Sequence, residues 1–373
     1  MTTSTAQERD LLRATVHDAM VKLSTSADVR RAMATAPGFA EPLWRRLAGE
    51  LGLPGLTLPA EFGGSDLTEE ELAIAFEEAG ATLLCAPLFA TAGLAVPLLR
   101  ALGDDAAIAR YAPSIASGDL TATVALAEAA GRWRTDTVRC TATRDAGRWV
   151  IDGVKNYVVD GATAGLVLVV AVAGAEPGVF AVSGDATGLE RERLVTLDQT
   201  RKQVRLVFTR TPAERVGAGD AVNAIARATA VSRALLAAEQ VGGAQHCLDM
   251  TVGYAKTRIQ FGRPIGSFQA VKQRLADMLV LVESARSAAL AAAAAAAVSD
   301  PELEHVAAVA ALTCGEAYTW VTEQTIQLHG GIGFTWEHDA HLYFKRARAS
   351  AVLLGTGGEL VELIGRQLGT SVS

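Results

Sequence analysis

The chain has 373 residues, roughly two to three times the length of a typical domain, so we expect several packed units. Its formal net charge of −7 at pH 7 and its pI near 5.5 exclude a broad nucleic-acid-binding surface, because binding phosphates requires clustered lysine and arginine. Half of the residues are hydrophobic, yet outside one alanine-rich tract no run of about eighteen residues lacks charged or turn-forming residues, so no membrane span is predicted.

The first residues of the chain are polar and lack the apolar core of a secretion signal, which predicts a cytoplasmic protein. The cysteines are far apart in sequence and no pair has metal-ligand spacing, which favours reduced structural thiols: Cys85, Cys140, Cys247 and Cys314. His329, His338 and His341 are close in sequence, but they lack cysteine or carboxylate partners at ligand spacing. We therefore predict no metal site.

The first third of the chain has a helical pattern. From Glu8 to about Ser117, apolar residues recur at three- and four-residue spacing. Glycine and proline interrupt the pattern, for example at Pro54-Gly55 and Gly63-Gly64, and they indicate tight turns between separate helices. We predict an N-terminal helical domain over residues 1–118.

Between Leu120 and Phe208 the pattern changes to short runs rich in β-branched residues, which are typical of strands. The predicted strands are Arg148–Ile151, Val154–Val159, Leu166–Val172, Val179–Val182 and Val204–Phe208. The first two are predicted to form a hairpin around Asp152-Gly153, because this pair suits a type I′ turn. The sequence thus predicts a small, β-barrel-like middle domain over residues 119–215.

After Gly217 the helical pattern returns. Four long helices are predicted, at residues 221–256, 270–299, 301–329 and 341–368, and such helices with short connections suggest an antiparallel four-helix bundle over residues 216–373. Pro301 is predicted at a first helical position. The alanine tract from Ala288 to Val298 favours a tightly packed bundle helix, because alanine is the strongest helix former. The predicted fold class is α+β and multidomain.

Two long motifs lie in the C-terminal region. Residues 257–269 read Thr-Arg-Ile-Gln-Phe-Gly-Arg-Pro-Ile-Gly-Ser-Phe-Gln and are followed by Leu-Ala-Asp-Met at 275–278, and residues 327–333 read Gln-Leu-His-Gly-Gly-Ile-Gly. Both motifs resemble signatures of the acyl-CoA dehydrogenase family, and the order of helical, β and helical regions matches that family over essentially the whole chain. The resemblance implies an FAD-dependent oxidoreductase of lipid β-oxidation, a tetramer that holds its flavin between subunits.

By this resemblance, the cofactor-binding residues are Arg258, Phe261, Ile265, Gln269, Gln327, Gly330 and Gly331. A guanidinium offers a fork of donors that suits a pyrophosphate, and glycines let the backbone approach a flat ligand. Taken singly, the arginine could be an ion-pair partner, the apolar residues core and the glycines a helix end. Seven matches in register favour contact with the cofactor.

The catalytic base is missing where the resemblance places it. In the implied reaction a carboxylate removes the proton next to the thioester, so it must lie within hydrogen-bond reach. The two positions that the family uses are Leu354, directly before Gly355-Thr356, and Ser232 on the first long bundle helix. Glu239 is a candidate for a relocated base, but it is two turns from Ser232, about 10 Å along a helix, and it could instead hydrogen-bond within the bundle.

The middle domain departs from the family as well. The family reads roughly Thr-Glu-Pro-x-x-Gly-Ser-Asp where residues 127–133 read Ala-Glu-Ala-Ala-Gly-Arg-Trp, and a family Trp-x-Thr is replaced by Tyr157-Val158-Val159. The hydroxyl groups expected near a flavin ring at positions 127 and 159 are therefore absent.

Three hypotheses follow for the function. The chain is a subunit for α,β-dehydrogenation of an acyl-CoA and acts with a sister chain that supplies the base, as in the heteromeric actinobacterial members that act on sterol side chains. Alternatively, it is a self-sufficient homotetrameric dehydrogenase with a relocated base, or a non-catalytic acyl-binding or scaffold protein without flavin. For the first two, the resemblance also implies an electron-transfer acceptor.

Overall fold

The structure is a computed structural model and describes residues 4–367 and 369. The helices are α1 (Ala6–Leu23), α2 (Ser26–Ala34), α3 (Glu41–Gly49), α4 (Glu69–Ala81), α5 (Val96–Leu102), α6 (Asp105–Ala116), α7 (Ala221–Thr257), α8 (Gln269–Ala297), α9 (Leu303–His329), α10 (Ala340–Ser350) and α11 (Gly357–Gln367). The strands are β1 (Ala122–Ala125), β2 (Thr141–Asp145), β3 (Arg148–Val159), β4 (Leu166–Ala173), β5 (Glu176–Ser183), β6 (Leu189–Arg193), β7 (Gln203–Val216), β8 (Ile259–Gln260) and β9 (Arg263–Pro264).

The chain divides into two compact units. The first is formed mainly by Arg30–Leu72 and Cys85–Ser232, and it contains strands β1 to β7. The second is formed by Ala6–Val29, Ala73–Leu84 and the residues from Arg233 onward, and it contains most of the long C-terminal helices.

The sheet of the first unit closes on itself. Strands β4, β2, β3, β7 and β5 pair in that order, and β5 pairs back onto β4, while β1 adds to β4 and β6 to β7. The closure between β2 and β4 is narrow, with Thr141 opposite Val172 as the paired position. The prediction of a β-barrel-like middle domain is confirmed. Strand β4 is buried from Leu166 to Ala171, as its continuous apolar sequence predicts.

The predicted hairpin around Asp152-Gly153 is wrong. Residues 148–159 form the single strand β3, and the turn that precedes it lies at Ala146-Gly147, between β2 and β3. Gly153 (φ 139°) lies at a register shift of β3 against β7, and a Cβ placed on it would lie 2.9 Å from the Cα of Cys140. The glycine therefore allows close contact with the neighbouring backbone and a bulge, rather than a turn.

Small residues line the core of the C-terminal helices. One buried cluster consists of Ala234, Ala237, Val241, Ala285, Ala289, Ala292, Ala310, Cys314 and Ala317, from α7, α8 and α9. Because these side chains are short, the three helices approach each other closely. The alanine tract is thus part of a packed bundle helix, as predicted.

The predicted helix over residues 341–368 is wrong as a single element. The structure has α10 and α11 there, separated by a turn around Gly355, whose φ is 130°. This φ is far from the helical value, so the helix cannot continue through residue 355. Glycine is the residue that adopts such an angle readily. Pro301 also lies ahead of α9, which begins at Leu303, so it is not in the first helical position.

Within the described part of the chain, α8 is the one helix long and apolar enough to cross a membrane by length and composition. Of its most apolar window, 39% is buried in the protein. Core helices of soluble proteins pass the same test, so this is weak evidence for a membrane span.

Helices α4 and α7 cross with their backbones in contact at two glycines. A Cβ on Gly242 would lie 1.8 Å from the carbonyl oxygen of Glu77, and one on Gly80 would lie 1.9 Å from that of Glu239. No side chain fits between backbones at these distances. Both positions therefore require glycine for steric reasons.

We predict that Gly242→Ala destabilises the protein by about 1–3 kcal/mol or more, because the added methyl group forces the two backbones apart. The control is Gly253→Ala on the same helix, where an added Cβ meets nothing within 4 Å. That change should stabilise by about 0.5–1 kcal/mol, since alanine favours a helix over glycine. Urea unfolding followed by circular dichroism measures both, and equal shifts for the two variants would contradict the packing argument.

Candidate functional site

The first motif forms an exposed turn after α7. The backbone N–H of Arg258 donates to the carbonyl of Tyr254 (2.8 Å), and that of Ile265 donates to the carbonyl of Arg258 (2.8 Å). Between them, strands β8 and β9 pair around Phe261 and Gly262, which have φ angles of 51° and 76°. The Phe261 side chain is 91% exposed. An exposed aromatic ring on a strained turn is a feature that folding alone does not explain.

The second motif lies at the C-terminal end of α9. Gly330 (φ 63°) ends the helix, and a Cβ added to it or to Gly331 would meet nothing within 4 Å. The backbone at both glycines therefore faces open space. A ligand could approach this backbone closely, which fits the role that the resemblance assigns to the pair.

A stacked pair brings the two motifs together. The ring of Tyr254 stacks on His329 with centroids 4.4 Å apart, and its hydroxyl group donates to the carbonyl of His329 (3.3 Å). The turn that carries Arg258 and the glycine turn after His329 therefore lie at one end of the second unit. The sequence-predicted cofactor residues at this end are exposed, except for half-buried Ile265: Arg258, Phe261, Gln269, Gln327, Gly330 and Gly331.

His329 is held as a neutral imidazole. Its Nδ1 donates to the carbonyl of Thr325 (2.7 Å), and burial, together with neighbouring His338, holds the pKa of His329 below its usual value. His338 lies over it with ring centroids 4.5 Å apart. Among the described residues, no group of three or more His, Cys, Asp or Glu side chains could hold a metal ion.

The two positions at which the resemblance places the base carry groups that cannot remove a proton. Ser232 is buried, and its hydroxyl donates to the carbonyl of Ala228 (2.8 Å). Leu354 is also buried, and its carbonyl accepts two hydrogen bonds from Arg233, at 3.0 Å from Nε and 2.8 Å from Nη2. Arg233 was not identified from the sequence as a residue of this site. An arginine next to Ser232 in an otherwise apolar helix segment could have indicated a buried polar contact.

Glu239 has a partner inside the bundle. Its carboxylate forms an ion pair with Arg346 at 3.0 Å, and the two side chains are 5% and 3% exposed. A buried carboxylate needs such a partner, because burying an unpaired charge is costly. The pairing gives Glu239 a structural role of the kind that the sequence left open.

Glu359 caps a helix. Its Oε2 accepts hydrogen bonds from the backbone N–H (2.9 Å) and the hydroxyl (3.1 Å) of Thr356, just before α11 begins. This is the reciprocal capping arrangement of a threonine and a glutamate three residues later.

In the first unit, Glu128 is the motif residue that is retained. It forms an ion pair with Lys155 (2.9 Å), which is fully buried and also donates to the carbonyl of Leu126 (3.0 Å). Burial raises the pKa of Glu128, but hydrogen bonds from Lys155 and from the backbone N–H groups of Cys140 and Arg139 outweigh it and hold the pKa below its usual value. The carboxylate therefore fixes the loop that follows β1.

Around this loop, the positions that would carry hydroxyl groups are apolar and buried. Ala127 is 3% exposed and Val159 is 1% exposed. Tyr157 has a φ of 57° and an exposed side chain, and its ring lies 3.4 Å from a Cβ placed on Gly131. The indole N–H of Trp133 donates to the hydroxyl of Thr229 (3.1 Å), the ninth residue of α7. The hydroxyl groups that the resemblance places beside a flavin ring are therefore absent from positions 127 and 159.

Two family models match the chain. The model described as acyl-CoA dehydrogenase, N-terminal domain, matches residues 6–119, and the model described as acyl-CoA dehydrogenase, C-terminal domain, matches residues 220–369. Among curated proteins, the acyl-CoA dehydrogenase IpdE2 of Mycobacterium tuberculosis is 37% identical over 359 residues, which is 95% of each chain. IpdE2 of Mycolicibacterium smegmatis is 34% identical, over 94% of this chain and 95% of that protein.

Two solved structures with the same fold are each named for a pair of proteins. A variant of the Tcur3481-Tcur3483 steroid ACAD matches with a TM-score of 0.87 and 30% identity, covering 97% of this chain and 98% of that one. The ChsE4-ChsE5 complex from Mycobacterium tuberculosis matches with a TM-score of 0.88 and 28% identity, covering the whole of both chains. These similarities agree with the architecture of helical, β and helical regions.

The Glu239–Arg346 pair leads to a stability prediction. Arg346→Met should destabilise the protein by about 3–5 kcal/mol, because it leaves a buried carboxylate without its partner. Adding Glu239→Leu should recover most of that loss, since an apolar pair no longer carries a buried charge. The control is Arg45→Gln, which breaks an exposed ion pair with Glu41 and should change stability by less than about 1 kcal/mol. Urea unfolding curves measure the free energy of unfolding of each variant. If the losses of stability from the two substitutions simply add in the double variant, the two side chains are not coupled and the pairing is refuted.

Proposed function

We propose that this chain, which belongs to the acyl-CoA dehydrogenase family of FAD-dependent oxidoreductases, is a subunit of a heteromeric acyl-CoA dehydrogenase. In this proposal it completes the FAD site of a sister chain, which supplies the catalytic base. One observation carries the proposal: both base positions, Ser232 and Leu354, lack a carboxylate, while the end of the bundle that matches the cofactor motifs is assembled and exposed.

The residues of the bundle end suit the diphosphate part of the cofactor. Arg258 offers a planar fork of donors for a pyrophosphate, and Gly330 and Gly331 leave the backbone open to close contact. Bound FAD supplies the hydride acceptor for the reaction. This chain's contribution is then to bind and orient, because Ser232 and Leu354 cannot hold the proton that leaves the substrate.

The substrate class is inferred from the relatives. One structural match is a steroid ACAD, and both structures described above are named for two different proteins. We infer an acyl-CoA thioester of a lipid or sterol side chain as the substrate, and a tetramer made with a homologous sister subunit. An electron-transfer protein would reoxidise the flavin, and the cytoplasm is the proposed location.

The alternatives have less support. A homotetramer with a relocated base would rely on Glu239, whose carboxylate is already paired with Arg346. A carboxylate held by a guanidinium is stabilised in its charged form and is a weak base. A scaffold protein without flavin would have no use for an exposed Arg258 beside open glycines.

Flavin content tests the proposal directly. We predict that the purified chain alone holds little flavin and oxidises no acyl-CoA, because its middle domain lacks the hydroxyl donors and its bundle lacks the base. Co-expressed and co-purified with any homologous chain that is encoded beside it, it should form a complex with about one flavin for every two chains. Flavin absorbance per chain and native mass measure both quantities. One flavin per chain in the isolated protein, with turnover that Glu239→Gln abolishes, would establish the homotetramer instead.

Arg258 gives a second prediction. In the complex, Arg258→Ala should weaken flavin retention by about tenfold or more, because a hydrogen bond to a charged group contributes about 1.5–3 kcal/mol. Arg258→Lys should restore only part of it, since lysine lacks the planar fork. The matched control is Lys256→Ala, which removes an exposed cation two residues earlier and should leave retention unchanged. Equal retention by all three variants, measured by dilution and flavin fluorescence, would remove Arg258 from the site.

A further inference from the structure

Trp133 makes a contact that neither the family motif nor the proposed function accounts for. Its indole N–H donates to the hydroxyl of Thr229 at 3.1 Å, and the tryptophan is half-buried. Thr229 itself donates to the carbonyl of Ile225 (2.7 Å), so its oxygen is fixed on the helix. A large aromatic ring is therefore held against α7, two turns after the helix begins.

The contact lies beside the empty base position. Thr229 and Ser232 are three residues apart on α7, and residues at that spacing are neighbours on one helix face. Ser232 is 2% exposed and Thr229 is 8% exposed. The hydrogen-bond partner of Trp133 thus lies about one helical turn from the residue that replaces the carboxylate.

The loop that carries Trp133 is firmly attached to the sheet. Glu128 binds Lys155 and the backbone N–H groups of Arg139 (2.9 Å) and Cys140 (2.9 Å), on the far side of Trp133 in the sequence. The loop is therefore tied to the sheet on both sides of the tryptophan. Because both sides of the loop are attached, we expect the loop and the Trp133 indole to have little mobility.

We propose that Trp133 closes the acyl side of this chain's own copy of the active site, covering the face of α7 around Ser232 so that an acyl thioester cannot reach it. The inference rests on the proposed function, in which the sister chain alone performs the chemistry. It explains why a serine is tolerated at position 232: a residue that no substrate reaches needs no carboxylate. Trp133 then ensures that substrate binds only to the chain that can convert it.

The test is the accessibility of a thiol placed at position 232. The native cysteines are all buried, so the parent protein should react slowly with 5,5′-dithiobis(2-nitrobenzoate): Cys85, Cys140, Cys247 and Cys314. In the full-length chain, Ser232→Cys should also react slowly. Combining it with Trp133→Ala should raise the rate of reaction by about tenfold or more, because the thiol is no longer shielded.

Three further variants make the result specific. Trp149→Ala with Ser232→Cys removes a tryptophan of the same domain that packs on Phe180, and it should leave the rate at that of Ser232→Cys alone. Trp133→Leu is a milder change in case Trp133→Ala impairs folding, and it should raise the rate in the same direction. The single variant Trp133→Ala should leave the native cysteines unreactive, which excludes general unfolding.

Two outcomes would overturn the proposal. One is rapid reaction of Ser232→Cys while Trp133 is intact, which would mean that the face is open. The other is no acceleration by either Trp133 variant relative to the Trp149 control, which would mean that other residues cover the thiol. Neither outcome depends on flavin or on a sister chain, so the flavin content of the complex still tests the proposed function separately.

Discussion

The packing of the second unit depends on small residues that let its helices approach each other closely. Alanines of α7, α8 and α9 form the core of the bundle, and Gly80 and Gly242 let α4 and α7 touch backbone to backbone. Helices packed this closely cannot shift to make room for a larger side chain, so even one added methylene group destabilises the core. This close packing also holds α7 and α9 side by side, so that Tyr254 near the end of α7 stacks on His329 at the end of α9. The exposed turns at this end can be irregular because the helices beneath them are rigid.

Much of the fold follows from local patterns in the sequence. The long helices and the buried strand β4 have strong, uninterrupted signals, and the structure confirms them. The errors came from residues whose meaning is set by their neighbours in space. Asp152-Gly153 has the composition of a turn, but its glycine serves the close approach of Cys140. The break at Gly355 is different, because the three glycines of residues 355–358 are a local break signal that the prediction of one helix did not use, and the φ of 130° at Gly355 separates α10 from α11.

In the candidate site too, some features could be predicted from the local sequence and others could not. The residues that the resemblance assigns to the cofactor lie in contiguous motifs, so the sequence alone could propose them, and the structure places the turns of Arg258 and Gly330 at one end of the bundle. The contacts of Arg233 with Leu354 and of Trp133 with Thr229 join residues 121 and 96 positions apart. No periodicity or motif reports such a pair, because the contact exists only once the chain has folded. Glu239 shows the same limit, since its burial was foreseeable but its partner Arg346 was not.

The exposed end of the bundle has a consequence for how the free chain behaves. Phe261, Phe334 and Trp336 are between 70% and 91% exposed, although Lys345 lies 4.2 Å over the Trp336 ring. Exposed aromatic side chains of this size promote self-association in water. The surface that carries the two sequence motifs is therefore also the surface through which copies of the chain would associate with each other in water.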